Sequence, residues 1–164
     1  MTKIYTIGTN GKSPREFFKL LKDNNIDLLL DIRLNNKSQL AGFAKGGDDY
    51  LGYFLNDLFG IKYIHDPLFS PTDEILDAYH KDNDWDKYVI GFDKLIKNRK
   101  MKEHFDKTYS KYNNVCLLCA EETPEKCHRR LVAEVISNDK RSIKHLWKLN
   151  LLFWLAHISM AEDA

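Results

Sequence analysis

The run Cys119-Ala-Glu-Glu-Thr-Pro-Glu-Lys-Cys127-His128-Arg129-Arg130 gathers two thiols, an imidazole, two guanidinium groups and three carboxylates. These are the groups of nucleophilic and acid–base chemistry. A thiol reacts as its thiolate, which is favoured beside cations and at helix N-termini. Thr123-Pro124 predicts a helix start, which puts Cys127 in the first turn, where free backbone N–H groups favour an anion. Cys119 ends the β-rich run Val115–Cys119. Adjacent helix residues do not face each other, so His128 is assigned to Cys119 rather than to Cys127. The bland alternative is that Cys127 is a small core residue and that Arg129 and Arg130 are solvated.

Polar side chains also follow the other apolar runs. Thr9 and Asn10 follow Ile4–Ile7, Asp31 and Arg33 close Leu28–Ile32, and His65 closes Ile61–His65. In open parallel sheets, ligands bind beyond the carboxyl ends of the strands. The candidate catalytic residues are therefore Cys119, Cys127, His128, Glu121 and Asp31. Arg33, Arg129, Thr9, Asn10 and His65 are candidates for binding a ligand, the arginines because a guanidinium fork matches phosphate or carboxylate. If this holds, Arg33 lies within reach of Glu121 or Glu122, and Thr9 and His65 border the same cleft. No metal is assigned. The Cys119–Cys127 spacing matches no short zinc knuckle, and Cys116 points to the opposite face of its strand from Cys119.

These positions need a scaffold. Ile4-Tyr-Thr-Ile7 reads as a strand, and Ser13-Pro14-Arg15-Glu16 as a capped helix start. The continuous apolar run Leu28–Ile32 reads as a strand covered on both faces, and the three segments make a βαβ unit. Residues 34–47, with Leu40 and Phe43 as anchors, form a loop that would cover the site. A helix is predicted from Asp48 to Phe59, stopped by Gly60. Ile61–His65 is a third strand, and Ser70-Pro71-Thr72-Asp73 opens a short helix. Trp85, Tyr88, Val89, Phe92, Leu95 and Ile96 recur at helical spacing and read as core packing. After a basic break at 97–100, Met101, Phe105 and Tyr109 continue that pattern. Ser142–Trp147 is a fifth strand, and Leu151–Ile158 is an apolar C-terminal helix. The expected fold is α/β: a single layered domain, 1–164, with a mostly parallel central sheet of about five strands flanked by helices.

The bulk numbers agree. The chain has 164 residues, 43% hydrophobic and 30% charged, with 25 basic against 24 acidic residues. That suits one domain with a real core, and the balance of charge favours neither nucleic acid nor a membrane surface. No apolar run reaches the ~18 residues of a membrane span. Three cysteines and an N-terminus without a signal-peptide pattern point to reduced thiols in the cytoplasm.

The motifs Ile4-Tyr-Thr-Ile-Gly8, Leu29-Leu-Asp31-Ile-Arg33, Gly42-Phe43, Gly60-Ile-Lys-Tyr-Ile-His65 and Leu118-Cys119-Ala-Glu121…Pro124…Cys127-His128-Arg129 occur in one order. Together they resemble the bacterial and archaeal family catalogued as domain of unknown function 488, over residues 4 to about 147. The resemblance implies an α/β domain and leaves the reaction open. Family members commonly carry Gly-His-Ser where this chain has Gly8-Thr9-Asn10, and Leu-Gly-Gly where it has Leu68-Phe69-Ser70. A looser likeness to rhodanese-type sulfurtransferases rests on Leu30-Asp31-Ile-Arg33 and Leu118-Cys119. The glycine-free acidic loop after Cys119 speaks against it, because such a cradle needs backbone N–H groups turned inward.

The expectation is an enzyme that acts, without a cofactor, on a small anionic or nucleotide-like ligand. The rival is a non-enzymatic binding module for nucleic acid, built on Lys97–Lys102 and Arg129-Arg130.

Overall fold

The computed structural model describes residues 2–37, 42–137 and 141–147. One sheet is formed by β1 (Lys3–Gly8), β2 (Leu28–Asp31), β3 (Lys62–His65), β4 (Asn114–Cys119) and β5 (Ile143–Leu146). Its order is β3-β2-β4-β1-β5, and every pairing is parallel. The helices are α1 (Pro14–Asp23), α2 (Asp73–Asp82), α3 (Trp85–Asn98), α4 (Met101–Thr108) and α5 (His128–Ile136). This is the α/β domain expected from the sequence.

Alternation along each strand builds two cores. On one face Ile4, Leu28, Leu30, Val115 and Leu117 pack with Phe92, Phe105 and Val132 from α3, α4 and α5. On the other, Tyr5, Ile7, Leu29, Cys116 and Leu118 pack with Phe17 and Leu21 of α1, and with Leu51 and Leu55. Strands covered on both faces must be apolar at every position, which is why Leu28-Leu-Leu reads as an unbroken run. The chain leaves β1 toward β2 over the α1 face and leaves β4 toward β5 over the α5 face. The two connections diverge between neighbouring strands, and such a switch point opens a crevice at the carboxyl edge.

Local chemistry explains the element starts. Ser13 Oγ accepts from the Glu16 amide at 3.2 Å, and Glu16 returns the bond to the Ser13 amide at 2.8 Å. This reciprocal cap satisfies two N–H groups that a helix start leaves without partners. Thr72 and Asp84 cap α2 and α3 in the same way with one bond each.

Two helix expectations are corrected. The helix expected over Asp48–Phe59 is two wide turns, Asp48–Gly52 and Phe54–Phe59, broken at Tyr50 (φ −126°, ψ −108°). There the Leu51 amide bonds to the Lys45 carbonyl and the Gly52 amide to that of Gly47, so the ladder skips its usual i−4 partner. Gly60 does end the segment, in the left-handed conformation its φ of 66° requires. The helix expected to open at Thr123-Pro124 begins at His128, with Cys127 as its N-cap residue. The Glu121 and Glu122 carbonyls are drawn onto the Arg129 guanidinium, and the Cys127 amide turns back onto Pro124, so residues 121–127 wind as turns. Leu40 and the apolar stretch Leu151–Ile158 lie outside the described residues. Among the described residues, no helix is long and apolar enough to cross a membrane.

Candidate functional site

Parallel strands bring the ends of β1, β2, β3 and β4 to one edge. Gly8 is in register with Cys119, and Asp31 with both Leu118 and His65. Cys119 follows Leu117 by two residues and so faces the α3–α5 side, whereas Cys116 lies in the opposite core. The separation of Cys116 from Cys119 is the one anticipated from strand geometry.

His128, the first residue of α5, swings back over the strand ends. Its Nδ1 lies 3.7 Å from Cys119 Sγ, and its Nε2 lies 2.9 Å from the Ile32 carbonyl oxygen. A carbonyl only accepts, so Nε2 carries a proton and Nδ1 is left to exchange one with the thiol. The ring also meets the edge of Phe92 at 5.8 Å. Cys127 stands at the same place: its sulfur, that of Cys119 and a ring nitrogen of His128 all lie within 4.8 Å of one another.

The electrostatics separate the two thiols. A hydrogen bond from Cys127, with the charge and hydrogen bond of His128, outweighs burial and holds the Cys119 thiol well below its ordinary range. Burial, reinforced by a hydrogen bond and charge at Cys119, pushes Cys127 well above it. Burial opposes a charged His128, but the Cys119 thiolate overcomes this and raises it. The shifts thus favour a thiolate at Cys119 beside a charged His128, with Cys127 as the neutral donor. Cys116, fully enclosed, is pushed up by burial.

Arg129 is 1% exposed. Its Nη1 donates to the Glu121 carbonyl at 2.6 Å and to Cys127 Sγ at 3.4 Å, and its Nη2 donates to the Glu122 carbonyl at 3.2 Å. This side chain, expected to bind a ligand, instead fixes the loop after β4 and the sulfur of Cys127. Its burial also removes it from any exposed basic patch. Gly8 makes room for it: a Cβ there would overlap the Glu121 carbonyl and lie 3.1 Å from Arg129 Nη1. Gly8→Ala is therefore expected to lower the urea midpoint by the equivalent of about 1–3 kcal/mol, the usual cost of overpacking, and to slow any reaction at Cys119. A native-like midpoint would show that the loop yields freely.

The other arginine is also engaged. Arg33 grips Asp31 through Nε at 2.8 Å and Nη2 at 2.6 Å, and Nη2 also donates to the Ala44 carbonyl at 2.9 Å. Tyr63 donates its hydroxyl to Asp31 at 2.7 Å, and Asn36 donates to that hydroxyl at 3.3 Å. Burial and then Asp31 push the Tyr63 phenol up, so it stays protonated as a donor. The close ion pair of Arg33 is made with Asp31. Asp31 is nearer along the chain and wholly buried, and an ion pair at that depth needs its charge matched at once.

Thr9 and Asn10 donate their amides to the carbonyls of Cys119 and Ala120, and tie β1 to the loop. His65 donates Nε2 to the Arg33 carbonyl at 2.8 Å and borders a separate concavity with Asn36, Gly47 and Tyr63. Thr9 and His65, expected to border the cleft, and Asn10, expected to bind a ligand, support its walls.

The cleft is a cavity of about 450 Å³. Cys119, Cys127 and His128 lie on its lining, with Arg33, Glu121, Lys126 and His80 around them and Leu34 and Asn35 from the expected covering loop. Tyr79, Trp85 and Tyr88 supply aromatic wall. Trp85 stacks on Tyr88 at 4.9 Å and 12°, and Tyr79 meets both edge-on. Sequence reasoning placed this aromatic stripe in the core. Tyr88 and Phe92 are core and Trp85 packs against that core, as expected, but Trp85 and Tyr88 also line the cleft. A tryptophan at the first position of a helix, beside its cap, was the available signal. Tyr63 carried no signal, being an alternating strand residue.

An all-parallel α/β domain with a paired cysteine and histidine at a switch point defines the class of protein. The family model described as "Domain of unknown function DUF488" matches residues 13–136, and the chain belongs to that family. The match covers β2 to β4 and α5 and leaves out β1 and β5. Searches of curated proteins and of solved structures find no match.

Proposed function

We propose that the chain is an enzyme in which Cys119 is the nucleophile and His128 its acid–base partner, acting on a small ligand that carries a planar ring and an anionic group. The observation that supports this reading most is the orientation of His128. Its Nε2–H is anchored on the Ile32 carbonyl, so Nδ1 faces Cys119 Sγ on the lining of a cavity of ligand size. Trp85, Tyr88 and Tyr79 offer faces and edges for a ring, and Lys126 and the outer edge of Arg33 offer charge for an anion. Glu121 stands at the mouth, where a carboxylate can orient a leaving group or water. Asp31 acts through Arg33 and is a positioning residue.

The reaction follows from the pair. Cys119 Sγ attacks an electrophilic centre, its electron pair forms the new bond, and the bond to the leaving group breaks. His128 Nδ1–H gives its proton to that group, and then takes one from the water that releases the covalent product.

p-Nitrophenyl acetate tests this with a planar ring and an activated ester. The expected result is a burst of about one equivalent of nitrophenolate per chain, with acetate on Cys119 by mass spectrometry and no burst in Cys119→Ser. Trp85→Ala should weaken capture of the ester while leaving iodoacetamide labelling of Cys119 unchanged. Acetylation at lysines alone, or a burst that persists in Cys119→Ser, would remove the nucleophile assignment.

A further inference from the structure

Cys127 has no step in that reaction, yet it is buried against both reacting groups. We infer that Cys119, Cys127 and His128 also form a three-ligand site for a zinc ion, whose fourth position opens into the cavity.

Geometry carries this. Around tetrahedral zinc, with Zn–S near ~2.3 Å and Zn–N near ~2.0 Å, neighbouring ligand atoms stand roughly 3.5–3.8 Å apart. Cys119 Sγ and His128 Nδ1 are 3.7 Å apart, and all three donor atoms lie within 4.8 Å of one another. Small side-chain rotations close that set around one ion. Loss of the Nδ1 proton on loading leaves the ring in the tautomer a metal needs, because its Nε2–H is held by the Ile32 carbonyl, the usual outer support of a metal-bound histidine. Arg129 Nη1, 3.4 Å from Cys127 Sγ, places a fixed positive donor against the second sulfur. Two thiolates balance the charge of Zn²⁺, so the buried site becomes neutral on loading. Among the described residues this is the one such cluster of three donors, and all three border the cavity, so a water or ligand atom completes the shell.

The strand–turn–helix connection explains why cysteine spacing alone argues against zinc. The turns from 121 to 127 return the chain to the strand end, so residues of unlike spacing meet. Loading also has a consequence that rests on the proposed reaction: an ion on Cys119 Sγ takes the electron pair that would attack a substrate. Zinc therefore silences the thiol, and chelation restores it.

The experiment uses the reduced full chain stripped of metal. Zn²⁺ is titrated against a competing chromophoric chelator, Co²⁺ serves as a spectroscopic stand-in, and X-ray absorption reads the zinc-loaded chain. Expected are one ion per chain, a sulfur-to-cobalt charge-transfer band with tetrahedral ligand-field bands, and a shell of two sulfurs and at least one nitrogen. Cys127→Ser and His128→Gln should each weaken binding by roughly tenfold or more. The native chain's absorption spectrum needs no variant, so a variant that misfolds does not blunt the test. An all-oxygen and nitrogen shell, or affinity unchanged in Cys127→Ser, overturns the site. If zinc fails to bind while metal-free Cys119 still takes acetate, the metal site falls and the thiol reading stands. If zinc binds with the expected shell while metal-free Cys119 is inert, the reverse holds.

Discussion

Asp31→Ala should destabilise the fold by roughly 3–5 kcal/mol, because it strands a charge that the protein buries. Asp31 is 0% exposed and Arg33 7%, and the carboxylate holds two guanidinium nitrogens and the Tyr63 hydroxyl. Removing it leaves Arg33 charged and buried, with the Ala44 carbonyl as the remaining partner of its guanidinium. The pair itself need not be strongly stabilising, since desolvating two ions offsets most of their attraction. The double variant Asp31→Leu with Arg33→Met should therefore recover much of the loss. Urea unfolding of the three chains decides it. If Asp31→Ala lies within about 1 kcal/mol of the native chain, the network contributes little and Asp31 must be explained otherwise.

His128→Gln should slow alkylation of Cys119 at pH 6 by at least tenfold in the metal-free chain. The substitution keeps an amide nitrogen near the place of Nε2, so the bond to Ile32 can persist, but it removes the base at Nδ1. The sign follows from the direction of the shift. A thiol lowered by Cys127 and an imidazolium partner is thiolate in a larger fraction of molecules at pH 6 than an ordinary thiol near ~8.5, which is thiolate in less than about 1% of them. Without the imidazolium, burial is opposed only by Cys127 and the Glu121 backbone, and the thiol moves up. Rate data from a small uncharged reagent such as iodoacetamide, at equal loading, measure the change. Equal rates in the two chains would detach His128 from the thiol.

The scaffold was legible because its rules are local. Leu28-Leu-Leu, the unbroken apolar run of β4 and the Ser13–Glu16 cap each declare their element through burial pattern or hydrogen bonding. Parallel strands then oblige Asp31, Arg33 and Cys119 to share an edge, so the gathering of the site could be argued before any coordinate. The pairing of His128 with Cys119 was legible for the same reason, since neighbours on a helix diverge.

What escaped was the choice of partner across distance. Nothing in the sequence says that Arg33 turns to Asp31, which Tyr63 also binds, rather than to Glu121. Nor does it say that Arg129 is swallowed by the carbonyls of Glu121 and Glu122, which delays α5 until His128. Those outcomes depend on close approach: Gly8 admits the loop to β1, and Arg129 fills the space behind it. The break at Tyr50 has a similar origin in carbonyls of residues 45 and 47 that capture amides from the following turn. Trp85 and Tyr88 show the limit of periodicity, because a helical stripe can pack on a core and line a cavity with the same residues.

The central claim is that one cysteine of three is activated, and that it is Cys119. Residue-resolved mass spectrometry of iodoacetamide labelling, followed from pH 5 to pH 9 in chelator, tests it most directly. The account predicts that Cys119 is labelled first and at lower pH than an ordinary thiol, with its rate levelling off within that range, while Cys127 and Cys116 stay unlabelled until the fold opens. Labelling that goes first to Cys127, or a Cys119 rate that climbs throughout like that of an ordinary thiol, would contradict it.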